Sequence, residues 1–268
     1  MAETKIEWAH KVWNPITGCS PVSTGCENCY AAKFARRLAG RAGYDKNTPF
    51  AVTFHADRLD QPRHWQKRCR IFTLSMGDMF HPGVRDEWRR KIFAEIAELR
   101  RHRFLVLTKR PHIMHDYLRD FFIAIPRNLW LGVSVEDQAT AQTRIPILAM
   151  VDHPHTFVSY EPALGDVNWD ILDKSGVKWL IAGGETGPGA RAIPKGGLSG
   201  AAYCAELKRI PFFWKSLGTN RKNRRQDSQF ANNTPCRDAC LSPTRRELPP
   251  ELQIRLEDSY SLEGRDGG

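Results

Sequence analysis

The fold is decided by the stretch RFLVLT at residues 103–108, which is followed by a helical segment, 113–122, and a second strand, LWLGVS at 129–134. Apolar runs of this length are typical of buried strands. A helix between two such strands brings them together in parallel. This strand–helix–strand unit therefore predicts a parallel sheet covered by helices.

The same alternation continues outward from this unit in both directions. Further strands are predicted at 71–74, 156–159, 177–182 and 211–214, with VWN at 12–14 as a poor first strand, and further helices at 87–101, 138–151 and 199–209. About seven strands fit a full or partial (β/α) barrel, in which chemistry takes place on the loops after the strands. The predicted class is thus α/β, with a barrel domain at 1–218 and a polar, loosely ordered C-terminal extension at 219–268.

The composition is that of an ordinary globular protein, with 268 residues, 41% hydrophobic and 26% charged. No apolar run reaches the length of about 18 residues that a membrane span needs. The first residues, MAETK, lack the layout of a signal peptide, so we expect a cytoplasmic protein. Thiols stay reduced in that compartment, and the seven cysteines therefore indicate metal binding or chemistry before disulfides.

Three of the cysteines, Cys19, Cys26 and Cys29, lie in one short loop, GCSPVSTGCENCY at residues 18–30. Three thiolates on one loop are able to hold three irons of a [4Fe–4S] cluster and leave the fourth iron without a protein ligand. An open iron is what a chelating cofactor or substrate needs. The loop therefore predicts an iron–sulfur site.

A structural zinc site is the alternative interpretation of the same loop. Such a site needs a fourth protein ligand, and His10, His55 or Cys69 would supply one. Cys236 and Cys240 are separated by three residues in the polar C-terminal part, and two ligands are too few to assign a second site. The residues alone leave both metals open.

Short motifs follow most of the predicted strands. They are WNP at 13–15, TGC at 17–19, GCENCY at 25–30, SMGDMFH at 75–81, LTKRP at 107–111, LGVSVE at 131–136, SYEP at 159–162, GGETG at 183–187 and PFFWK at 211–215. In this series the chain resembles the radical S-adenosylmethionine (SAM) superfamily over roughly residues 10–218, and most of all its compact phage and bacterial branch with a three-cysteine motif. The gaps between the cysteines, six and two residues, depart from the shorter first gap usual in the superfamily.

The resemblance implies two cofactors, a [4Fe–4S] cluster on the three cysteines and SAM on its open iron, with a reductant such as flavodoxin or ferredoxin of the host. The residues expected to bind SAM are Tyr30, Ser75, Gly77, Asp78, Lys109, Ser134, Glu161, Gly183 and Gly184. Asp78 would accept from the SAM ammonium group, and Lys109 with Arg110 would neutralise its carboxylate. Glu136 is a further candidate for hydrogen bonding to ribose.

The catalytic residue is not identified by the sequence. Tyr30, Tyr160 and Cys204 are side chains that would be able to return a hydrogen atom to a substrate, and no spacing favours one of them. For Cys204, a place in the core is the competing interpretation.

The formal net charge of +10 is concentrated between residues 33 and 110, where 19 Lys and Arg face 8 Asp and Glu. Within that region the segment 40–70 mixes cations with aromatic side chains, among them Tyr44, Phe50, Phe54, His55 and Trp65. Cations for phosphates and aromatics for bases are typical of a nucleic-acid surface. A small core under a long loop is the alternative.

The function predicted from these features is modification of a nucleobase in DNA, flipped or single-stranded, or of a free nucleotide. Phage members of the branch resemble enzymes of thymidine hypermodification, which favours an isomerase that moves a substituent of a modified thymidine from a C–N to a C–C attachment in the host cytoplasm. The rivals are a radical SAM lyase that repairs a base lesion and a zinc-stabilised protein that binds nucleic acid without catalysis.

Overall fold

The computed structural model describes residue 4 and residues 6–121, 124–223 and 246–253. The strands in these ranges are β1 (Lys11–Trp13), β2 (Ile16–Thr17), β3 (Thr53–Phe54), β4 (Arg70–Thr73), β5 (Arg103–Thr108), β6 (Leu129–Val135), β7 (Thr156–Tyr160), β8 (Trp179–Gly183) and β9 (Phe212–Ser216). The α-helices are α1 (Tyr30–Arg37), α2 (Asp86–Glu98), α3 (Pro111–Asp120), α4 (Gln138–Met150) and α5 (Gly197–Leu207).

Seven of the strands form one parallel sheet in the order β1-β4-β5-β6-β7-β8-β9. The order rises in one direction only, whereas a doubly wound sheet reverses at a switch point. Within the described ranges the edge strands β1 and β9 do not pair with each other, so the curled sheet is a partial barrel. The predicted α/β barrel class is confirmed in its partial form. The remaining strands, β2 and β3, form a small antiparallel pair.

Side chains alternate along each strand between the helix-covered face and the concave face of the sheet. In β5, Phe104 and Val106 join the large core shared with the helices, while Leu105 belongs to a separate cluster. That second cluster fills the amino half of the concave face with aromatic rings and contains Trp8, Phe72, Trp130, Phe157, Trp179 and Phe213. Because this half of the concave face is packed, only the carboxyl half is left for a ligand.

The end of the concave face next to the amino ends of the strands is closed by residues that are far apart in sequence. Leu252 is fully buried in the aromatic cluster, and its carbonyl accepts from Nη1 of Arg70 at 3.3 Å. The indole of Trp179 donates to the carbonyl of Glu247 at 3.0 Å. The segment 246–253 of the predicted C-terminal extension therefore packs against the barrel.

The predicted elements are confirmed with ends shifted by a few residues, as hydrogen-bond-defined boundaries commonly are. The first helix begins at Tyr30, and α2 ends at Glu98, three residues before its predicted end. No helix among the described residues has the length and apolar character needed to cross a membrane.

Candidate active site

The cysteine loop lies beside the carboxyl ends of the central strands, where the barrel predicts chemistry. Gly18 forms a parallel bridge with Gly77, in the turn after β4, and its amide donates to the carbonyl of Met76 at 2.9 Å. Gly18 has a φ of +93°, and a side chain there would stand 2.1 Å from the carbonyl oxygen of Ala51. Only glycine fits this position, which brings the first cysteine to the turn after β4.

Arg110, the second residue after β5, connects the first cysteine to a buried acid. Its Nη1 lies 3.3 Å from Sγ of Cys19 and 2.8 Å from Oδ2 of Asp78, and its Nη2 donates to the carbonyl of Ser20 at 2.8 Å. Asp78 also accepts from the hydroxyl of Thr108 at 2.7 Å. Burial and then the charge of Asp78 raise the pKa of the Cys19 thiol, and Arg110 opposes them.

Lys109 makes the corresponding contact to the second cysteine. Its Nζ lies 3.7 Å from Sγ of Cys26 and is paired with the carboxylate of Glu136. Burial pushes the pKa of the Cys26 thiol upward, but the charge of Lys109 and hydrogen bonds from Val22 and Ser23 outweigh it, so that this pKa is lowered. Two of the three thiols therefore have a cation beside them, and a neighbouring positive charge favours the thiolate form.

Glu136 is the centre of a buried network rather than a free acceptor. It is 0% exposed and accepts from Nη1 of Arg144 at 3.1 and 3.2 Å and from the hydroxyl of Ser23 at 2.9 Å. A side chain at Gly25 would stand 2.5 Å from its Cγ. The carboxylate thus holds the cysteine loop against β6, and its oxygens are consumed by protein donors.

A second tether joins the loop to the segment after β8. Glu185 accepts from Nη2 and Nε of Arg191 at 2.6 and 3.0 Å and from Nδ2 of Asn28 at 3.0 Å. Arg191 donates in turn to Glu27 at 2.9 Å and to the carbonyl of Thr24 at 2.9 Å. Although burial acts in the opposite direction, hydrogen bonds from Arg191 and Asn28 lower the pKa of Glu185 to about 2. The loop is therefore held from two sides of the mouth.

Three residues expected to bind SAM lie together next to the loop. The hydroxyl of Tyr30 donates to the carbonyl of Ser75 at 2.5 Å, and the hydroxyl of Ser75 donates to Asn14 at 3.2 Å. A side chain at Gly77 would stand 3.1 Å from the carbonyl oxygen of Gly18. The close approach that glycine permits here is to the loop backbone. Asp78, the next residue, has both oxygens engaged by protein donors.

The opposite wall of the concave face carries an ion pair at its carboxyl end. Glu161 accepts from the hydroxyl of Ser159 at 3.0 Å and from Nζ of Lys215 at 2.8 Å. A side chain at Gly183 would stand 2.9 Å from Oε1 of Glu161. Ser134, on β6, is 5% exposed on the same concave face. These residues supply polar groups of both signs above the aromatic layer.

Gly184 has a packing role in the fold. A side chain there would stand 2.5 Å from the carbonyl oxygen of Leu217, and its amide donates to the carbonyl of Ser216 at 2.9 Å. The glycine lets the segment after β8 lie directly against the segment after β9.

The residues present fit an iron–sulfur cluster better than a four-ligand zinc site. His10 and Cys69 directly precede β1 and β4, at the opposite end of the sheet from the loop, and His55 is bonded to Thr17 at 2.8 Å. None of the three candidate fourth ligands joins the loop. Within the described ranges no three His, Cys, Asp or Glu side chains converge on a single metal ion. Cys236 and Cys240 lie outside the described residues.

For three aromatic residues of segment 40–70, the prediction that they form a nucleic-acid surface is wrong. Tyr44, His55 and Trp65 are only 7%, 6% and 6% exposed, because the long segment folds down onto the barrel and uses its rings as core. Phe54 is partly covered by a stacked ring, that of Trp88, at 5.4 Å between centroids. The cations of this region are mostly exposed, but these rings are not available for stacking on bases.

Comparison with protein families gives one match, to a family described as "Protein of unknown function (DUF5131)", over residues 3–242. The chain belongs to this family. No curated protein matches it in sequence.

Among solved structures, the chain is similar to spore photoproduct lyase complexed with dinucleoside spore photoproduct, at 13% identity and a TM-score of 0.47, covering 68% of this chain and 57% of the other. A double variant of that lyase, with bound AdoMet and dinucleoside spore photoproduct, matches at 12% identity and a TM-score of 0.47, covering 87% and 64%. The chain spans less than two thirds of the length of both structures.

Sequence reasoning missed the residues that position the loop from a distance. Arg144 and Arg191 have no motif around them, and His81, whose Nε2 lies 2.8 Å from the hydroxyl of Ser20, was recognised only as part of a segment. Each of these side chains contacts a residue more than five positions away in the sequence. The pattern of neighbouring residues therefore does not indicate the contact. Only the placement of strand ends side by side reveals these contacts.

Proposed function

We propose that this chain is a radical SAM enzyme that modifies a nucleobase. The observation that carries the proposal is the placement of three cysteines at the carboxyl edge of a partial barrel, with Lys109 and Arg110 against two of the sulfurs. A cluster of this kind with thiolate ligands is a centre of negative charge, and adjacent cations stabilise it.

Cys19, Cys26 and Cys29 would hold the cluster. When bound, the reduced cluster and SAM would supply the radical chemistry needed to remove a hydrogen atom from an unreactive carbon. The chain's own residues fix the loop through Glu136 and Glu185, keep two cations at the sulfurs, and exclude water from the amino half of the barrel with aromatic rings.

The proposed SAM and substrate site is the carboxyl half of the concave face. Glu161 and Lys215 present one charge of each sign there, which suits the ammonium and carboxylate of an amino-acid group. Asp78 acts through Arg110 as a positioning residue, since its oxygens are already bonded. The proposed contact residues are Tyr30, Ser75, Gly77, Lys109, Ser134, Glu161 and Gly183, whereas Gly184 is assigned to packing against Leu217.

The proposed substrate is a modified thymidine in DNA or a free nucleotide, and the proposed reaction is an isomerisation from a C–N to a C–C attachment. Tyr160 and Cys204 both lie in the core on the helix side of the sheet, so neither reaches the mouth. Of the three hydrogen donors considered, Tyr30 alone lies beside the cysteine loop. An isomerisation leaves the number of hydrogen atoms in the substrate unchanged. It therefore needs no net hydrogen atom from a protein side chain.

The experiment that tests the proposal is anaerobic purification and reconstitution with iron and sulfide. We expect about four irons per chain, as a [4Fe–4S] cluster requires, and a brown protein that cleaves SAM under reduction by flavodoxin or ferredoxin. The Cys19→Ala/Cys26→Ala/Cys29→Ala variant should lose iron and colour. The matched control Cys69→Ala should keep both, because that thiol lies at the other end of the sheet.

Product analysis then tests the reaction. An isomerase leaves the mass of the modified nucleoside unchanged while altering its fragmentation, whereas a lyase yields products that differ in mass from the lesion. A colourless protein with one tightly bound zinc would refute the catalytic proposal.

A further inference from the structure

Exposed aromatic rings stand beside the mouth on the first helix, not in the segment 40–70. Tyr30 and Phe34 are 53% and 48% exposed, and their spacing of four residues places both on one face of α1. Arg37, three residues after Phe34, continues that face. Neighbouring exposed apolar side chains are a feature of interaction sites, whereas single scattered ones are ordinary on protein surfaces.

The same helix and the segment directly after it are strongly basic. Residues 30–46 contain five Lys and Arg, at 33, 36, 37, 41 and 46, against the single acid Asp45. The carboxylate of Asp45 accepts from the amides of Asn47 and Thr48 at 2.8 and 2.6 Å. Among the described residues, the side chains of Arg36 and Arg37 have no ion-pair or hydrogen-bond partner. The surface therefore presents uncompensated positive charge.

The position of α1 connects this surface to the candidate active site. The helix begins directly after Cys29, and the hydroxyl of Tyr30 donates to the carbonyl of Ser75, in the turn after β4. From the next turn, Nζ of Lys33 donates to the carbonyl of Pro188, in the segment after β8, at 3.2 Å. The helix therefore lies on the rim of the mouth.

We propose that the exposed side of α1, formed by Phe34 and Arg37 on one face with Tyr30 at its mouth end and bordered by Arg36, binds the nucleic-acid strand that flanks the reacting base. The arginines contact its phosphates and Phe34 stacks on a neighbouring base, which is the combination that holds single strands without reading their sequence. This inference rests on the proposed function, since it names the surface by which the same site takes its polymer substrate.

The test is fluorescence anisotropy with a labelled single-stranded DNA oligonucleotide and an RNA of the same sequence, on the anaerobically reconstituted protein. We expect Phe34→Ala to weaken binding at least about fivefold, the lower end of what loss of one stacked base costs. Arg36→Ala/Arg37→Ala should reduce the slope of log K against log salt by about 1.4, because each cation on a single strand accounts for about 0.7.

Matched controls lie away from the mouth. Tyr203→Ala removes a ring that is 45% exposed on α5, and Lys174→Ala/Lys178→Ala removes two exposed cations before β8. These variants should bind as the wild type does. Iron content and the melting temperature of each variant show whether it has kept its cluster and fold. Tighter binding of DNA or of RNA identifies the polymer.

The outcomes separate the inference from the proposed function. A wild-type protein that cleaves SAM but binds neither oligonucleotide, or α1 variants that bind no more weakly than the controls, would overturn the inference alone. A protein that holds no iron but loses oligonucleotide binding through the α1 variants would refute the proposed catalysis and support the surface.

Discussion

The ammonium group of Lys109 lies 3.7 Å from the sulfur of Cys26 while it is also paired with the buried carboxylate of Glu136. A single side chain thus joins the cysteine loop to the barrel wall. Glu136 positions the ammonium group next to the Cys26 thiol and is itself held by Arg144, 3.1 Å away. The electrostatics of the candidate cluster site therefore depend on residues of the barrel as much as on the loop.

Lys109→Met is expected to make the midpoint potential of the reconstituted cluster more negative, by roughly tens of millivolts, because a positive charge near a ligand favours the reduced state. Lys109→Arg keeps the charge and should stay near the wild-type potential. Redox titration followed by electron paramagnetic resonance measures both. An equal potential for all three proteins would show that Lys109 does not act on the cluster.

Replacement of Glu136 tests the buried network. Glu136→Ala leaves Arg144 buried without its acid, and we expect a loss of about 3–5 kcal/mol in the free energy of unfolding, as for other broken buried pairs. Glu136→Gln keeps the volume and one acceptor and should cost less. Urea denaturation monitored by circular dichroism gives both values. A loss below 1 kcal/mol for alanine, on the order of an exposed pair, would contradict the burial of this network.

Alanine substitutions at two glycines are expected to change the stability of the protein in opposite directions. Gly184→Ala places a methyl group 2.5 Å from the carbonyl oxygen of Leu217, and we expect destabilisation of about 1–3 kcal/mol from overpacking. Gly200, within α5, has no atom within 4 Å of an added methyl group. Gly200→Ala should therefore stabilise by about 0.5–1 kcal/mol through helix propensity. Thermal unfolding of the two variants checks the difference in sign.

Stability should fall as the pH drops from about 6.5 to about 4. Burial, followed by the charges of Arg70 and Lys11, lowers the pKa of His10 from 6.5 to about 4. Burial also lowers the pKa of His102 to about 4. Both histidines are held neutral in the folded protein, whereas in the unfolded protein they take up protons below about pH 6.5. Their contribution to the free energy of unfolding is therefore complete above pH 6.5 and is lost as the pH falls towards 4.

The tautomer of His102 supports this direction. Its Nδ1 accepts from the amide of Cys69 at 3.2 Å, so its Nε2 donates to the carbonyl of Pro62 at 3.1 Å. Urea midpoints between pH 7.5 and 4.5 should show a smaller decline for His102→Gln than for the wild type. His64→Gln, at an exposed position, should keep the wild-type decline. Parallel curves for all three proteins would exclude the buried histidine as a cause.

Much of the fold was predictable because its signals are local. Strands such as RFLVLT at 103–108 and the helix that follows show their periodicity within one segment, whereas the order of the strands in the sheet came only from the structure. The cysteine loop was visible for the same reason, since its three thiols lie within eleven residues.

The roles of the polar residues after the strands were not predictable in this way. Asp78 and Glu136 look like free acceptors in sequence, but Arg110 and Arg144 bond to them in the fold. Gly184 looks like a place for a ligand and is a close contact with Leu217. Whether a carboxylate or a glycine is available depends on which other strand end is placed beside it.

The sequence by itself determined an α/β chain with a full or partial barrel, the approximate positions of its strands and helices, and the three cysteines, because periodicity and ligand spacing act over a few residues. Only the tertiary structure decided that three rings of segment 40–70 are buried and that two rings of α1 are exposed beside the mouth. It also decided that Lys109 and Arg110 contact the cysteine sulfurs. Burial and ion pairing depend on distances between segments tens of residues apart, and those distances exist only once the sheet has curled.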